Sequence, residues 1–469
     1  MHEQLLKLLQ GIGRPSVCVA GDMMLDTYVW GRVGRVSPEG PIPVLKVDDK
    51  EHRPGGAGNV AAMLCALEAA VSCVGVVGED EAARELGRQL QAVGADTSGL
   101  VTCPDRLTTL KTRYMGYVQS AGRGLQQIVR VDEELTDPIP AEQSEQVLAR
   151  VRERLAGADV LLIQDMAKGL FTPPLLQKII EAAREAGKPV IVDPERGEDY
   201  SGYRGATCLL PNRLEAEAAT GLKLREEADY GKAAGRLLEA LDLERIIITL
   251  DREGMFCAAA HGEHRHVPTR PRSVLDVTGA GDMVAAMVAL ATCAGAPLEQ
   301  IAELANVAAG MEVSLSGATP VPRGELLAEL EAEAPPGLRK IKTRRELERI
   351  LSERRKRGET VAFTNGVFDL LHLGHVELIR FARSQADCLV VGMNSDRSVR
   401  EIKGPSRPIN TEQVRAQTLA ALPNVDYVVV FDEPSVLPLI KKLRPDVLVK
   451  GADYDRTGVV GYEFVEGYG

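Results

Sequence analysis

DVTGAGDMVAAM, residues 276–287, carries the reading of the whole first half of the chain. Gly279-Ala280-Gly281-Asp282 opens an apolar helical run. Consecutive small residues let backbone N–H groups converge at a helix N-terminus, where the helix dipole favours anions. Asp282 falls in the first turn of that helix. A carboxylate beside an anion hole can accept a proton from an attacking hydroxyl while the amides hold a transferring phosphate. An Asp capping its own helix, with glycines for close packing, fits the same spacing equally well. A second glycine group, RPGGAGNVAAML (53–64), also precedes a helical run. Its GAGNVA matches the loose G-x-G-x-x-A dinucleotide pattern, but HRP rather than a strand comes before it. No GxxxxGK[ST] occurs, so a nucleoside triphosphate would be held without a P-loop.

Outward from these turns the chain alternates apolar strands with amphipathic stretches. VCVAGD (17–22), VSCVGVV (71–77), VLLIQD (160–165), PVIVD (189–193) and RIIITL (245–250) read as strands. EAARELGRQLQAVG and LLQKIIEAAREAG between them carry helical periodicity. That rhythm predicts an α/β fold with a mostly parallel sheet covered by helices on both faces. Residues 27–47 and 107–132 break it, alternating polar and apolar with β-branched residues, and predict β-ribbons set aside as a lid. EAEAPPGLRK marks an interdomain linker, expected at 331–341. KTRRELERILSERRKRG (342–358) follows, a helix with eight Lys/Arg against three Glu. It reads as a solvated basic face or a phosphate contact. Strands then restart at 360–365, 388–394, 425–431 and 446–451, giving a second, smaller Rossmann-like α/β domain over 342–469.

With 469 residues, 45% of them hydrophobic, the chain can bury more than one core. Its 56 Lys/Arg and 67 Asp/Glu give a net charge of -11, which argues against nucleic acid or anionic membrane as a partner. No apolar run reaches membrane-spanning length, and the N-terminus reads as an amphipathic helix rather than a leader, so a cytoplasmic location is expected. The eight cysteines form no CxxC pair and sit mostly in apolar runs, as free buried thiols of a reducing compartment do. HGEHRH (261–266) reads as a polar hairpin, with a metal site as the alternative.

GDMMLDTY (21–28), PGGAGN (54–59), PNRLE (211–215) and DVTGAGD (276–282) together resemble the ribokinase family of sugar kinases. More narrowly, residues 21–47 resemble the kinase half of the bifunctional heptose 7-phosphate kinase/heptose 1-phosphate adenylyltransferase family. The resemblance spans about 1–325, within a first domain expected at 1–330. It implies that Asp282 is the base acting on a sugar hydroxyl and that Gly279, Ala280 and Gly281 form the anion hole. It puts Asn212, Arg213, Leu214 and Glu215 at the nucleotide phosphates and their Mg2+, and Asn306 near adenine. Asp26, Gly55, Gly56 and Asn59 would face the sugar. Lys111, Arg113 and Arg130 on the second ribbon would grip a sugar phosphate or be solvated ribbon charges. Two departures stand out. Gln164-Asp165-Met166 replaces the family's Ser-Asp-Tyr, and Glu195 stands where the family has Lys, while Asp165 and Asp193 are kept.

FTNGVFDLLHLGHVELIRFA (363–382) is a strand, a turn and a helix. His372 and His375, three apart at the helix start, can both face one ligand and donate to phosphate oxygens as charge builds. A metal pair or satisfied core histidines are the alternatives. With TNGVFD before it and NSD (394–396) after it, the region resembles the HxGH nucleotidylyltransferase superfamily. KGPSRPIN (403–410), Arg415 and LVKGADY (448–454) bring it close to the adenylyltransferase half of the same bifunctional family. The resemblance implies that His372 and His375 stabilise the triphosphate and that Thr364, Asn365, Gly366 and Phe368 line the nucleotide pocket. Asn394, Asp396, Lys403, Arg407 and Lys450 would lie around the nucleotide and sugar phosphate. The family goes on to a Ser-Thr-Thr segment opening a last helix, which is not found after 451. The second domain is therefore expected to be incomplete at its C-terminus and adenylyl transfer to be weak or absent.

The expected function is phosphorylation of D-glycero-D-manno-heptose 7-phosphate at C1 by ATP and Mg2+, with an impaired adenylyl transfer to heptose 1-phosphate. The product, ADP-heptose, feeds lipopolysaccharide core synthesis. A homodimer through the ribbon lid is the resemblance's further implication. The competing readings are another sugar or nucleoside kinase fused to a cytidylyltransferase-like domain, and a regulatory binder with a degenerate second domain.

Overall fold

The computed structural model describes residues 2–118, 125–269, 276–315, 317–333, 337–451 and 458–468. The chain divides into two compact units at residues 329 and 330. The first unit contains thirteen strands among its described residues: β1 (Ser16–Gly21), β2 (Met23–Val36), β3 (Pro43–Gly56), β4 (Ala70–Val77), β5 (Asp96–Thr102), β6 (Thr109–Val118), β7 (Leu125–Glu133), β8 (Val160–Gln164), β9 (Val190–Asp193), β10 (Cys208–Leu209), β11 (Arg245–Thr249), β12 (Met255–Ala259) and β13 (His264–Val267).

Nine of them form one sheet in the order β13-β12-β11-β10-β9-β8-β1-β4-β5. The β11-to-β5 side is parallel throughout, and β12 and β13 close the other edge as an antiparallel hairpin. Parallel strands joined by crossover helices are covered on both faces and read as continuous apolar runs. Val17–Ala20 and Val160–Ile163 accordingly have no exposed surface. The three histidines of 261–266 sit on the β12–β13 hairpin and contact separate partners: Glu263, the Gly262 carbonyl and the Glu253 carbonyl.

The two expected ribbons are β2 with β3 and β6 with β7. They join into one separate four-stranded sheet, order β3-β2-β6-β7, in which β2 and β6 run parallel. The strands run further than the alternation suggested. HRP (52–54), expected not to be a strand, belongs with Gly55 and Gly56 to the end of β3, and the tip at 119–124 lies outside the described residues. Only Asp22 separates β1 of the main sheet from β2 of the lid. Its carboxylate accepts from the N–H groups of Met166 (2.8 Å) and Lys168 (3.3 Å), which fixes the junction beside the site. Helices Ala57–Ala66 and Ala280–Cys293 pack together, and both begin at that junction. Both are apolar nearly all round, as a helix enclosed by its own domain must be.

The second unit is built on β14 (Val361–Gly366), β15 (Cys388–Asn394), β16 (Tyr427–Phe431) and β17 (Val447–Leu448), all parallel in the order β16-β15-β14-β17. The stretch expected as linker at 331–341 starts as the end of a helix, Arg323–Glu333, and 334–336 lie outside the described residues. Ile341 is already part of the second unit, bridged to Val428. The basic helix is Arg344–Lys356, capped by Thr343 and Glu346 as a capping box. Several of its charges are engaged within the unit: Arg344 with Glu433, Arg354 with Glu359, and Arg355 with the Leu443 and Arg444 carbonyls. All eight cysteines are free. No helix among the described residues is long and apolar enough to cross a membrane.

Candidate active sites

Asp282 sits in the first turn of helix Ala280–Cys293, after Gly279 in the left-handed region at φ 99°. A Cβ at Gly279 would lie 2.7 Å from a Glu312 carboxyl oxygen and 3.0 Å from the Ala318 methyl, so the turn requires glycine. One Asp282 oxygen accepts 2.6 Å from Asn59 Nδ2, in the first turn of the neighbouring helix. The other accepts 3.3 Å from Gln164 Nε2, which also donates to Asp193 at 2.7 Å. Asp282 therefore does not cap its own helix. Burial pushes its carboxyl up to about 6, partly offset by the Asn59 hydrogen bond.

Two cavities meet at this residue. One, of about 200 Å3, is lined by Met24, Asp26, Gly56, Lys111, Arg113, Met166, Thr278 and Gly279. The other, of about 400 Å3, is lined by Asp165, Asp193, Arg196, Asn212, Glu215 and Thr249 among others. Gly281 and Asp282 belong to the walls of both. In the smaller cavity Arg113 pairs with the buried Asp26 at 2.9 Å. Gly55 lets that carboxylate approach, since a Cβ there would meet it at 2.9 Å. Burial and the nearby Lys168 lower the pKa of Lys111. Arg130 pairs instead with Asp132 and is not among the residues of that wall.

In the larger cavity Asn212 and Glu215 form a reciprocal capping box on helix Arg213–Thr220. Only the cap and the third residue of such a helix share a face. Arg213 and Leu214, grouped with them in the sequence reading, turn elsewhere. Arg213 is bonded to the Leu224 and Leu250 carbonyls and paired with Glu253, while Leu214 is exposed. Burial raises the pKa of Asp193 and Glu215, and Asp165 reaches about 6. Asn306 is buried and donates to the Pro268 carbonyl at 2.8 Å, so its amide fixes a loop. The sequence reading missed Glu312, buried against Gly279 and pushed up to about 8 by burial and by Asp282 and Asp276. It lies at the end of a helix whose other buried residues, Asn306 apart, are apolar core.

In the second unit His372 is the N-cap of helix Leu373–Ser384. Its ring stacks on His375 at 3.8 Å between centroids, and Phe368 meets His375 edge-on at 5.2 Å. Burial, then His372 and Lys403, lower the pKa of His375. The side-chain oxygens of Thr364 and Asn365 and Nδ1 of His375 are buried without a hydrogen-bond partner among the described residues. Such groups are rare, and a water or a ligand would complete their bonds. Lys450 donates to the Asn365 carbonyl at 2.7 Å, and burial brings it down to about 8. Residues 452–454 of the LVKGADY segment lie outside the described residues. Gly366 precedes the turn, where a Cβ would meet the Phe368 ring at 3.1 Å. Asp369 ties Arg407 and the Ile409 amide to this turn, so Arg407 is held in the frame.

Arg415, one of the residues that carry the resemblance, is fully buried. It donates to the carbonyls of Val367 (2.6 Å), Asn394 (2.9 Å) and Asn410 (3.0 Å) and to Asp396 (2.6 Å). It locks the turn before the histidines to the end of β15. Arg415→Met strands those acceptors, and a loss of about 3 kcal/mol in the second unit's stability is expected. Urea unfolding followed on that unit checks it; a shift under about 1 kcal/mol would sink the clamp.

Residues 14–323 match the pfkB family of carbohydrate kinases, and residues 363–469 match the cytidylyltransferase-like family. The bifunctional protein HldE of Geobacter metallireducens is 47% identical over 454 residues, 97% of this chain and 91% of its own. That of Caulobacter vibrioides is 45% identical, covering 100% of this chain and 95% of its own. The chain belongs to the bifunctional HldE family. It is an enzyme of two transferase halves, a sugar kinase and a nucleotidyltransferase. Solved structures agree on the first fold. Arabidopsis thaliana ribokinase with ribose and ATP superposes with TM-score 0.54 at 20% identity, over 68% of this chain and 99% of its own. Escherichia coli phosphofructokinase-2 with substrates and products gives 0.56 at 21% identity, over 68% and 99%.

Proposed function

We propose that the first unit transfers the γ-phosphoryl of ATP to the anomeric hydroxyl of D-glycero-D-manno-heptose 7-phosphate. The observation carrying this reading is that Asp282 and Gly281 form part of the walls of both cavities. The smaller cavity, with Asp26, Lys111 and Arg113, suits a phosphorylated sugar. The larger suits the nucleotide phosphates. The ionised Asp282 takes the C1 hydroxyl proton as that oxygen bonds to the γ-phosphorus. The bond from phosphorus to the β–γ bridging oxygen breaks, and ADP leaves. Amides of Gly279 to Gly281 face the transferring group at the helix N-terminus.

Mg2+ fits this cavity by donor chemistry. Asp193 and Glu215 offer hard oxygens whose charge burial disfavours, and a cation would relieve that cost. Among the described residues no group of three His, Cys, Asp or Glu is placed to hold a metal, which suits an ion that keeps its waters and phosphate ligands. Asp193 and Glu215 would hold it, and it would shield phosphate charge.

The second unit, on this reading, moves AMP from ATP to heptose 1-phosphate, giving ADP-heptose and pyrophosphate. His372 and His375 donate to the phosphates as the sugar phosphate oxygen attacks the α-phosphorus. A phosphatase must act between the two steps. A homodimer through the lid sheet is supported by exposed apolar residues there, among them Val36, Val47, Tyr117, Val129 and Val131. Such a soluble sugar-phosphate reaction belongs in the cytoplasm.

Mass spectrometry of one incubation tests the reading, with ATP, Mg2+, heptose 7-phosphate and isotopically labelled heptose 1-phosphate. Unlabelled heptose bisphosphate supports the kinase, and labelled ADP-heptose the adenylyltransferase. Phosphorylation of fructose 6-phosphate or a nucleoside in place of the heptose would overturn the substrate.

A further inference from the structure

The larger cavity beside Asp282 has an unbalanced wall. Asp165, Asp193, Glu195, Glu215 and Asp282 bring carboxylates to it, and among the described residues Arg196 is the only Lys or Arg that lines it. The other cations near Asp282, Lys111 and Arg113, line the smaller cavity. A nucleoside triphosphate entering so acidic a wall needs positive charge on its own side of the transfer. Arg196 is already coupled to that wall, where its guanidinium favours the ionised form of Glu215.

The backbone that carries Arg196 is held rigidly. Tyr200 Oη donates to the Glu195 carbonyl at 2.8 Å, and the Glu195 N–H donates to Tyr203 Oη at 3.3 Å. Tyr203 Oη in turn donates to Asp165 Oδ2 at 2.8 Å. Both tyrosines are buried and pack edge to face at 5.2 Å and 82°. The residue before Arg196 is thus bonded on both sides, while the arginine itself is exposed to the cavity. A fixed stem with a charged, forked head matches the geometry of bidentate phosphate recognition.

We propose that Arg196 grips the β- and γ-phosphate oxygens of the nucleotide and carries part of the charge that develops as the γ-phosphoryl moves to the sugar. This rests on the kinase reading above and adds to it a side-chain cation on the nucleotide side. The tyrosines act through it as positioning residues.

The test measures sugar-phosphate-dependent release of ADP by the full chain, a product that adenylyl transfer does not make. In Arg196→Ala, kcat/KM for MgATP falls by about 10²-fold, in the range for loss of one preorganised charge donor. KM for the sugar phosphate stays within about threefold. Arg196→Lys recovers only part of the loss, because an ammonium cannot form the paired hydrogen bonds. Titration with a non-hydrolysable ATP analogue reads the same contact without a sugar. There Arg196→Ala weakens one binding event about tenfold and leaves adenosine binding as in wild type. If wild type releases no ADP with any sugar phosphate while Arg196→Ala still loses analogue binding, the kinase reading fails and the phosphate contact stands. Unchanged analogue binding with unchanged kcat/KM overturns the contact. So does an equal rise in KM for both substrates, which would mean that the loop had merely moved.

Discussion

Asp282→Asn is expected to lower kinase kcat by about 10²–10⁴-fold, the usual worth of a positioned general base, with both KM values nearly unchanged. The substitution suits the site sterically. The new amide can present its oxygen to Asn59 Nδ2, at the cost of the longer 3.3 Å bond that the carboxylate accepts from Gln164 Nε2. What is lost is the lone pair that takes the hydroxyl proton. The pH dependence follows with a definite sign. Burial holds the carboxyl up to about 6, and only the ionised form can act as base. In wild type, kcat/KM therefore falls about tenfold per pH unit below about 6 and levels off above it. That limb is absent from the residual activity of Asp282→Asn. Its persistence would transfer the titration to Asp165, which burial also raises to about 6 but which faces Tyr203 and the Ala167 amide. A regulatory binder would show neither the loss nor the limb.

The parallel sheet was legible because strands buried on both faces write themselves as unbroken apolar runs. VLLIQD and RIIITL could be placed within a residue or two. The lid was legible as alternation, but its junction with the main sheet was not, since nothing local marks Asp22 as the single residue between β1 and β2. The catalytic turn was legible as a composition of small residues. Its competing interpretation as a self-capping helix falls to one long-range bond, from Asn59 to Asp282 across 223 residues. Spacing cannot report such a contact. The PNRLE motif shows the opposite limit. The motif names five consecutive residues, yet helix geometry turns only Asn212 and Glu215 to the cavity. Position 195 illustrates a further one. The sequence reading stopped at Glu195, while backbone bonds to Tyr200 and Tyr203 hold the turn from which Arg196 lines the larger cavity. The clamp made by Arg415 was not legible for the same reason, because its partners come from three separated segments.

His375→Ala is expected to lower the rate of pyrophosphate release, measured with ATP and heptose 1-phosphate, by about 10²–10³-fold relative to wild type, the cost of one preorganised donor to a developing oxyanion. His372→Ala should do the same. The double variant should cost little more than the worse single, because groups acting as one unit are not additive. The geometry argues for a unit. The rings stack at 3.8 Å, and burial, His372 and Lys403 each oppose protonation of His375. The cationic form of His375 is therefore disfavoured, an effect that a bound polyanion would oppose. His375→Asn, which keeps a neutral donor in similar space, should recover part of the rate that Ala loses. If instead the rings were core residues, the variants would lower the second unit's stability and Asn would do worse than Ala. A metal pair would show as loss on chelation and recovery with an added transition metal. Sugar-dependent ADP release is the internal control, since it draws on Asp282 and not on either histidine. Pyrophosphate release unchanged in the double variant would remove the histidines from the chemistry altogether.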